Sequence, residues 1–501
     1  MREWGIFAQN RKAYADAFRF EGMTMQTSTA TSVRPQPGFV ELAACLGFVV
    51  VSIDVSVVNV ALDALRGAFH ADVTGLQWVV NAYALVFASA LLLAGALGDR
   101  FGAKRVFVVG YALFTCASVG CGLAQSLAAL IGWRLAQGLG AALLVPNSLS
   151  VLREAFHDAG ARSRAVGWWS AGGGIALAAG PVIGGLLIAA FGWRSIFLVN
   201  VPVGAIGLWM TMRYAPLSRG HAGRGLDPLG QVSGALALAA LAFALTEASS
   251  LSWQDPLIGA AFVLSIASGA VFVWLQARNP AGMLPLALFA NRTVSGTTFI
   301  GLIANLVFYG IVFTFSLLFQ TVWHFTAERA GLAFLPMMAV LVVMNIAAGR
   351  LVGRTGARRL AMAGLSTAIV GYLSMLPALA TQSYAWLVAP MLVAGGGIAL
   401  AVPTLTNALL AAVRREQSGI ASGLLNAARQ VGGVMGVALF GFFVRHTQSV
   451  LFMHGLVQAL VVSATLLAVA LGVAWRTLDA RALQPAAAGV KACRAGSSSL
   501  H

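Results

Sequence analysis

Gly95-Ala96-Leu97-Gly98-Asp99-Arg100-Phe101-Gly102-Ala103-Lys104-Arg105 follows one long apolar run, and Gly349-Arg350-Leu351-Val352-Gly353-Arg354-Thr355-Gly356-Ala357-Arg358-Arg359 follows another. The two stretches align at an offset of 254, with glycine, arginine, glycine and the closing basic pair all returning. One such loop is weak evidence, because any cytoplasmic loop can carry glycine and basic residues; its return at fixed spacing is strong. Working outward, Gly138, Gly140 and Pro146 return as Gly395, Gly397 and Pro403 at an offset of 257, and Gly167 and Gly180 return as Gly423 and Gly436 at 256. Two similar halves that cross a membrane in the same sense are the mark of a parallel repeat, each half a bundle of six helices. Six spans with their loops fill about 190 residues from Phe39, so the remaining 65 or so residues of the offset form two further spans between the halves.

Composition agrees with a chain that lives in lipid. Hydrophobic residues make up 59% of its 501 positions and charged residues only 10%, with a mean hydropathy of +0.83, which excludes a soluble globule with a polar surface. Windows of about 20 apolar residues give fourteen spans, beginning near Phe39, Trp78, Val106, Leu130, Val166, Ile196, Leu229, Leu257, Val294, Ala330, Leu360, Trp386, Gly419 and Gly455. The fold class is therefore all-α and polytopic. The expected organisation is a cytoplasmic tail at 1–38, an N-terminal six-helix bundle at 39–215, two inserted helices at 216–280, a C-terminal six-helix bundle at 281–476 and a cytoplasmic tail at 477–501.

A net charge of +16 would suit a nucleic-acid binder, but the placement of the basic residues decides otherwise. Of 32 lysines and arginines, 26 fall in the two tails and alternate loops, four in the opposite loops, and two, Arg134 and Arg429, inside spans. The positive-inside rule then puts both termini in the cytoplasm of a cell whose inner membrane the chain crosses. The first 38 residues contain no apolar core beside a small-residue cleavage site, so no cleaved signal peptide is expected, and Met23 or Met25 is an alternative start. Cys45, Cys116 and Cys121 in spans and Cys493 in the tail have no metal-like spacing.

Several motifs resemble the major facilitator superfamily, and the inserted pair points to its fourteen-helix drug:proton antiporter branch. Ile53 to Asp63 is similar to that branch's first-helix pattern, with Ser56 for threonine and Asp63 in place of proline. The Gly95 loop matches the superfamily signature, and Arg134, Gln137, Gly138 and Gly140 match the Arg-x-x-Gln-Gly pattern of the fourth helix. Gly172, Gly180, Pro181, Gly184 and Gly185 match the antiporter motif of the fifth, although Ala176 stands where glycine is usual, and Gly192 to Pro202 is typical of the branch. Within it the chain looks most like methylenomycin-resistance-type exporters. The resemblance implies expulsion of a lipophilic, drug-like molecule across the inner membrane by alternating access, driven by inward protons. The partners implied are that small substrate, protons and the bilayer, with a periplasmic adaptor and outer-membrane channel as admissible additions, and no nucleic acid. A single-metabolite exporter, an uptake symporter and a membrane sensor are the alternatives.

Asp54 is the central candidate. A carboxylate in the middle of a spanning helix costs about 2.5–3.5 kcal/mol on insertion scales, so it faces the bundle interior. Of sixteen acidic residues it alone lies well inside a span, since Glu41 and Glu247 fall at helix ends and the rest in loops or tails. A proton-driven carrier needs a group charged in one state and neutral in another; the plain alternative is a structural carboxylate. Helices 1 and 4 adjoin in the fold that the resemblance implies, which makes Arg134 its partner, either as a release device or as a static ion pair. Asn59, Gln137, Asn426, Arg429, Phe308 and Tyr309 are the candidate cavity residues. No mid-span acid of the second half pairs with Arg429, which leaves it to bond carbonyls, face the cavity or meet Asp54.

Gly95, Asp99, Arg100, Gly102, Lys104 and Arg105 are read as a gating loop with Asp99 as latch, or as a topological anchor; Gly353 in the second copy makes any charge latch one-sided. The glycines of helix 5 around Pro181 serve either close packing or, by resemblance, export. No Walker loop, nucleophile elbow or zinc spacing is present, so no enzyme activity, cofactor or metal is expected.

Overall fold

The computed structural model describes residues 36–478 apart from 157, 218–226, 249, 253, 280–281, 283, 285, 415–416 and 447. Most of both expected tails, with Met23, Met25 and Cys493, lies outside the described residues. In hydrocarbon a chain must satisfy its own N–H and C=O groups, and these apolar runs do so as helices. The first half comprises α1 (Pro37–Val60), α2 (Val73–Phe101), α3 (Ala103–Leu123), α4 (Leu127–Ala155), α5 (Ala159–Phe191) and α6 (Asn200–Tyr214). The inserted pair is α7 (Pro228–Glu247) and α8 (Pro256–Arg278). The second half comprises α9 (Arg292–Leu317), α10 (Ala327–Thr355), α11 (Ala357–Ala380), α12 (Tyr384–Ala411), α13 (Ser418–Phe443) and α14 (Ser449–Thr477).

Short polar side chains set where many of these helices begin. Asp72, Ser126, Asp158, Asp227, Asp255, Asn291 and Thr326 each precede a helix and accept a hydrogen bond from a backbone N–H of its first turn. The repeat legible in the sequence is also a repeat of backbone. Gly102 and Gly356 take φ of +93° and +81°, a region that other residues enter only with strain, and each turns the chain from one span directly into the next.

Thirteen of the described helices are long and apolar enough to cross a membrane. The remaining expected span, α13, is a helix of 26 residues whose polarity comes from Asn426, Arg429 and Gln430. Such polarity is tolerable where a helix faces protein rather than lipid, and α13 packs against α2, α7, α9 and α12.

Within the first half, α1 contacts α4, α5 and α6, and α4 contacts α2 and α3; in the second, α9 contacts α12, α13 and α14, and α12 contacts α10 and α11. The halves meet along two seams, α2 with α13 and α5 with α10. Away from the Gly102 and Gly356 loops the halves are tied by side chains in and beside these seams. Gln77 donates to the carbonyls of Val437 at 2.9 Å and Ala438 at 2.8 Å. Ser316 Oγ donates to the Asn59 carbonyl, and Arg66 Nη1 donates to Thr321 Oγ1 at 3.2 Å. Beside them, α5 and α10 approach so closely that a Cβ on Gly185 would stand 2.7 Å from the Ala327 carbonyl oxygen, and one on Gly331 would strike that of Pro181. This far end is closed by contact.

The inserted helix α7 lies along the α2 and α13 seam. It is hydrogen-bonded to α2: Trp78 Nε1 donates to Glu247 Oε1 at 2.7 Å, Asn81 Nδ2 to Thr246 Oγ1 at 3.2 Å, and Gln231 Nε2 to the Ser89 carbonyl at 2.5 Å. Trp78 is thus a partner of Glu247. Toward α13 the same helix presents apolar side chains, Leu238 and Ala242 lying with Val434.

Candidate functional site

The apolar run of α1 carries Asp54 to a position six residues before the helix ends, about 9 Å along its axis, where it is fully buried. Two other helices send three donors to it. Arg134 Nη1, from α4, stands 2.5 Å from Oδ2. Gln137 Nε2, one turn along the same face of α4, donates to Oδ1 at 2.8 Å, and Asn200 Nδ2 at the start of α6 donates to Oδ1 at 3.1 Å. Ser118 Oγ of α3 accepts from Gln137 Nε2 at 2.9 Å.

Arg134 is only 1% exposed and is as fully engaged as the acid. Its Nε donates to the Val79 carbonyl at 3.1 Å, and Nη1 also donates to Gln137 Oε1 at 2.7 Å. Its guanidinium carbon lies 4.3 Å from the centre of the Tyr83 ring, within cation–π range. A buried ion pair gains Coulombic attraction at the expense of desolvation, so it is weak evidence of net stability. Removing one member is costly by about 3–5 kcal/mol, because the other charge is left uncompensated. Chemically, the two charges are each held by the other, so a displacement of either leaves its partner buried and uncompensated.

A small cleft between the halves opens beside this pair. Asn59, Asn81, Tyr83 and Arg134 line it from the first half, and Tyr309 and Gln430 from the second. Arg134 therefore bonds Asp54 on one side and borders the cleft on the other. Asn81 Oδ1 and Tyr83 Oη are buried without a protein partner, and buried polar groups of this kind call for a partner from what fills the space.

The cavity residues expected from sequence divide. Asn59, Gln137 and Tyr309 gather at the cleft or the ion pair behind it, whereas Phe308 packs edge-on to Tyr309 at 5.3 Å among apolar side chains. Asn426 is exposed and outside the residues that line this cleft. Arg429 donates through Nη2 to the Val402 carbonyl at 3.0 Å and Thr406 Oγ1 at 2.8 Å, both on α12. It does not reach Asp54, whose oxygens are bonded by groups of the first half. Asn200, Asn81, Tyr83 and Ser118 were not singled out in the sequence; the signal available was a polar side chain inside an otherwise apolar run.

The Gly95 loop shows an anchoring contact. Lys104 Nζ donates to the carbonyls of Met212 at 3.0 Å and Ala215 at 2.7 Å, capping the end of α6 in its own half. Arg100 lies over Phe101, and Asp99 and Arg105 are exposed. In α5, Gly180 and Gly184 lie against Ser56 and Val57 of α1, while Pro181 and Gly185 form the seam with α10. The motif residues are thus packing surfaces on both sides of one helix, with Gly172 near Val49.

Comparison with known proteins gives a consistent picture. The family model described as Major Facilitator Superfamily matches residues 44–437. The Methylenomycin A resistance protein of Streptomyces coelicolor is 38% identical over 416 residues, 83% of this chain and 87% of that protein. The Multidrug resistance protein Stp of Mycobacterium tuberculosis is 36% identical over 402 residues, 80% of this chain and 74% of that protein. Among solved structures, a bacterial homologue of the human lysosomal transporter Spinster, inward-facing and occupied, superposes with a TM-score of 0.65 at 17% identity, covering 90% of this chain and 99% of that one.

Proposed function

This chain is a multi-pass membrane protein of the major facilitator superfamily, a family of transporters and not of enzymes, and we propose that it is a proton-coupled antiporter that expels lipophilic antibiotics or drugs. The relatives named for methylenomycin A and multidrug resistance support the export of such molecules. The observation that carries the coupling is the double position of Arg134, which bonds Asp54 at 2.5 Å and also lines the cleft. A proton on Asp54 removes the negative charge that holds Arg134, and whatever occupies the cleft competes for the same guanidinium. Each event changes the energy of the other, which is what coupling between two sites requires.

In the topology favoured by the basic loops, both termini are cytoplasmic and the closed far end faces outward. Gln77, Ser316 and Arg66 then form the outer gate, and the α5 and α10 glycine contact is the surface on which the halves rock. Inward movement of one proton supplies about 2.3 kcal/mol per 100 mV of membrane potential. The test is efflux of a panel of lipophilic fluorescent dyes from cells expressing the chain, with and without a protonophore. Outward, protonophore-sensitive movement of several dyes supports the reading. Inward accumulation would make the chain a symporter, and movement of one compound alone a dedicated exporter.

A further inference from the structure

Two polar atoms of residues that border the cleft have no partner. Asn81 Oδ1 and Tyr83 Oη belong to residues that are 0% and 1% exposed, and neither atom makes a hydrogen bond among the described residues; both residues line the cleft. A buried donor or acceptor left unpaired is costly, and bulk solvent does not reach these two, so what enters the cleft is what can satisfy them. Both side chains are held in place. Asn81 Nδ2 donates to Thr246 Oγ1 of the inserted helix α7 at 3.2 Å, which commits the donor side of the amide to α7 and leaves its oxygen as an acceptor. Tyr83 is fixed against α4. The Arg134 guanidinium carbon lies 4.3 Å from the centre of its ring, and Gly138 admits its backbone so closely that a Cβ there would strike the Tyr83 carbonyl oxygen. The phenol hydroxyl is left with a proton to donate.

We propose that Asn81 and Tyr83 form the polar subsite for the cargo, Asn81 accepting from an N–H group and Tyr83 donating to a carbonyl oxygen, so that the molecules selected are uncharged lipophilic compounds of the amide type. Thr246 is a positioning residue: no residue of α7 is among those that line the cleft, yet its hydroxyl fixes which end of the Asn81 amide the cleft presents. The inserted helix thereby takes part in selection without touching the cargo. The charges around the cleft favour the same class. Arg134 is the one charged residue among those that line it, and that charge is paired with Asp54. A cationic cargo would meet the guanidinium with no acid among the lining residues to receive it, and a carboxylate would bring only acceptors to the acceptor of Asn81. Val55, Val80 and Val437 meet the apolar body of the cargo. The inference rests on the exporter reading for its transport sense, but not for binding.

The experiment uses the purified full-length chain and four matched fluorescent probes: pyrenebutyramide, its N,N-dimethyl amide, which keeps the carbonyl but has no N–H, pyrenebutyrate and pyrenebutylamine. Fluorescence anisotropy should show the primary amide binding about fivefold or more tighter than the dimethyl amide, the loss expected when a buried acceptor stays unpaired, and tighter than either charged probe. Asn81→Leu should bring the two amides within about twofold of one another, whereas a preference set by size alone would survive it. Tyr83→Phe should weaken both amides a few-fold and leave their ratio in place. Thr246→Val frees the Asn81 amide to turn and should lower the ratio, and Thr246→Ser should restore it; a merely structural role for Thr246 would shift both affinities together. Size-exclusion elution and helical circular dichroism check that each variant folds, and if Asn81→Leu does not, the Thr246 pair decides. Equal binding of the two amides, a charged probe bound tighter than the primary amide, a ratio untouched in the folded Asn81 or Thr246 variants, or amide binding untouched by Tyr83→Phe would overturn the proposal. Proton-driven expulsion of the probes with no amide preference would sink the subsite and leave the exporter standing. The expected binding ratio without proton-driven transport would do the reverse.

Discussion

Arg134 and Arg429 are cations at membrane depth in opposite halves of one repeated scaffold, and the protein treats them in opposite ways. The first has a carboxylate, a glutamine, a carbonyl and an aromatic ring around it; the second has one carbonyl and one hydroxyl, with a donor left over. The difference teaches that a repeat which conserves helix packing need not conserve chemistry. The half with the acid holds its arginine in a buried ion pair, and the other half ties its arginine to neutral oxygens of a neighbouring helix.

The largest break in that contrast comes from removing Arg134. Arg134→Leu leaves Asp54 buried and uncompensated, with an expected destabilisation of about 3–5 kcal/mol and loss of driven transport, read by thermal unfolding in detergent and by dye efflux. Giving the second half an acid erases the contrast from the other side. Thr406→Asp places a carboxylate where Thr406 Oγ1 now meets Arg429 at 2.8 Å, and should leave stability within about 1 kcal/mol of the parent because the new charge is paired, with proton-dependent efflux in place, measured by thermal unfolding and dye efflux. Asn200→Ala removes one of the two donors to Asp54 Oδ1 and should cost about 1–2 kcal/mol of stability, visible in the same unfolding assay, and weaken coupling without abolishing it. Gln77→Leu removes two bonds that tie α2 to α13. It is expected to shift stability by about 1 kcal/mol and to raise accessibility of a cysteine reporter at the far end several-fold. Asn426→Ala, on an exposed position, should change unfolding by no more than about 0.5 kcal/mol.

Much of the scaffold was legible because it is written in punctuation. The Gly102 and Gly356 loops announced the repeat, and both glycines do take the left-handed backbone that the turn requires. Asp54 and Arg134 were legible because a charge inside an apolar run admits few placements. Asn81, Tyr83, Ser118 and Asn200 were not, since a span that is apolar on every face gives no period from which to tell the side facing the cleft from the side facing lipid. Glu247 was visible as a helix-end residue, but its 2.7 Å hydrogen bond with Trp78 depends on α7 returning to lie along α2, which loop lengths do not determine. The contact that Lys104 makes in the Gly95 loop shows the same limit. Lys104 turned out to cap α6 within its own half, while the ties that close the far end come from Gln77, Ser316 and Arg66, residues in no recognised motif.

The central claim is that Asp54 carries the proton that drives export, and reconstitution tests it directly. The full chain is placed in proteoliposomes with a trapped pH indicator, and flux of a dye identified in the efflux panel is followed together with proton flux, for the parent and for Asp54→Asn. The account predicts opposed dye and proton movement in the parent, and in the variant dye exchange down its own gradient with no proton movement and no accumulation. Proton-driven accumulation that survives Asp54→Asn would contradict it.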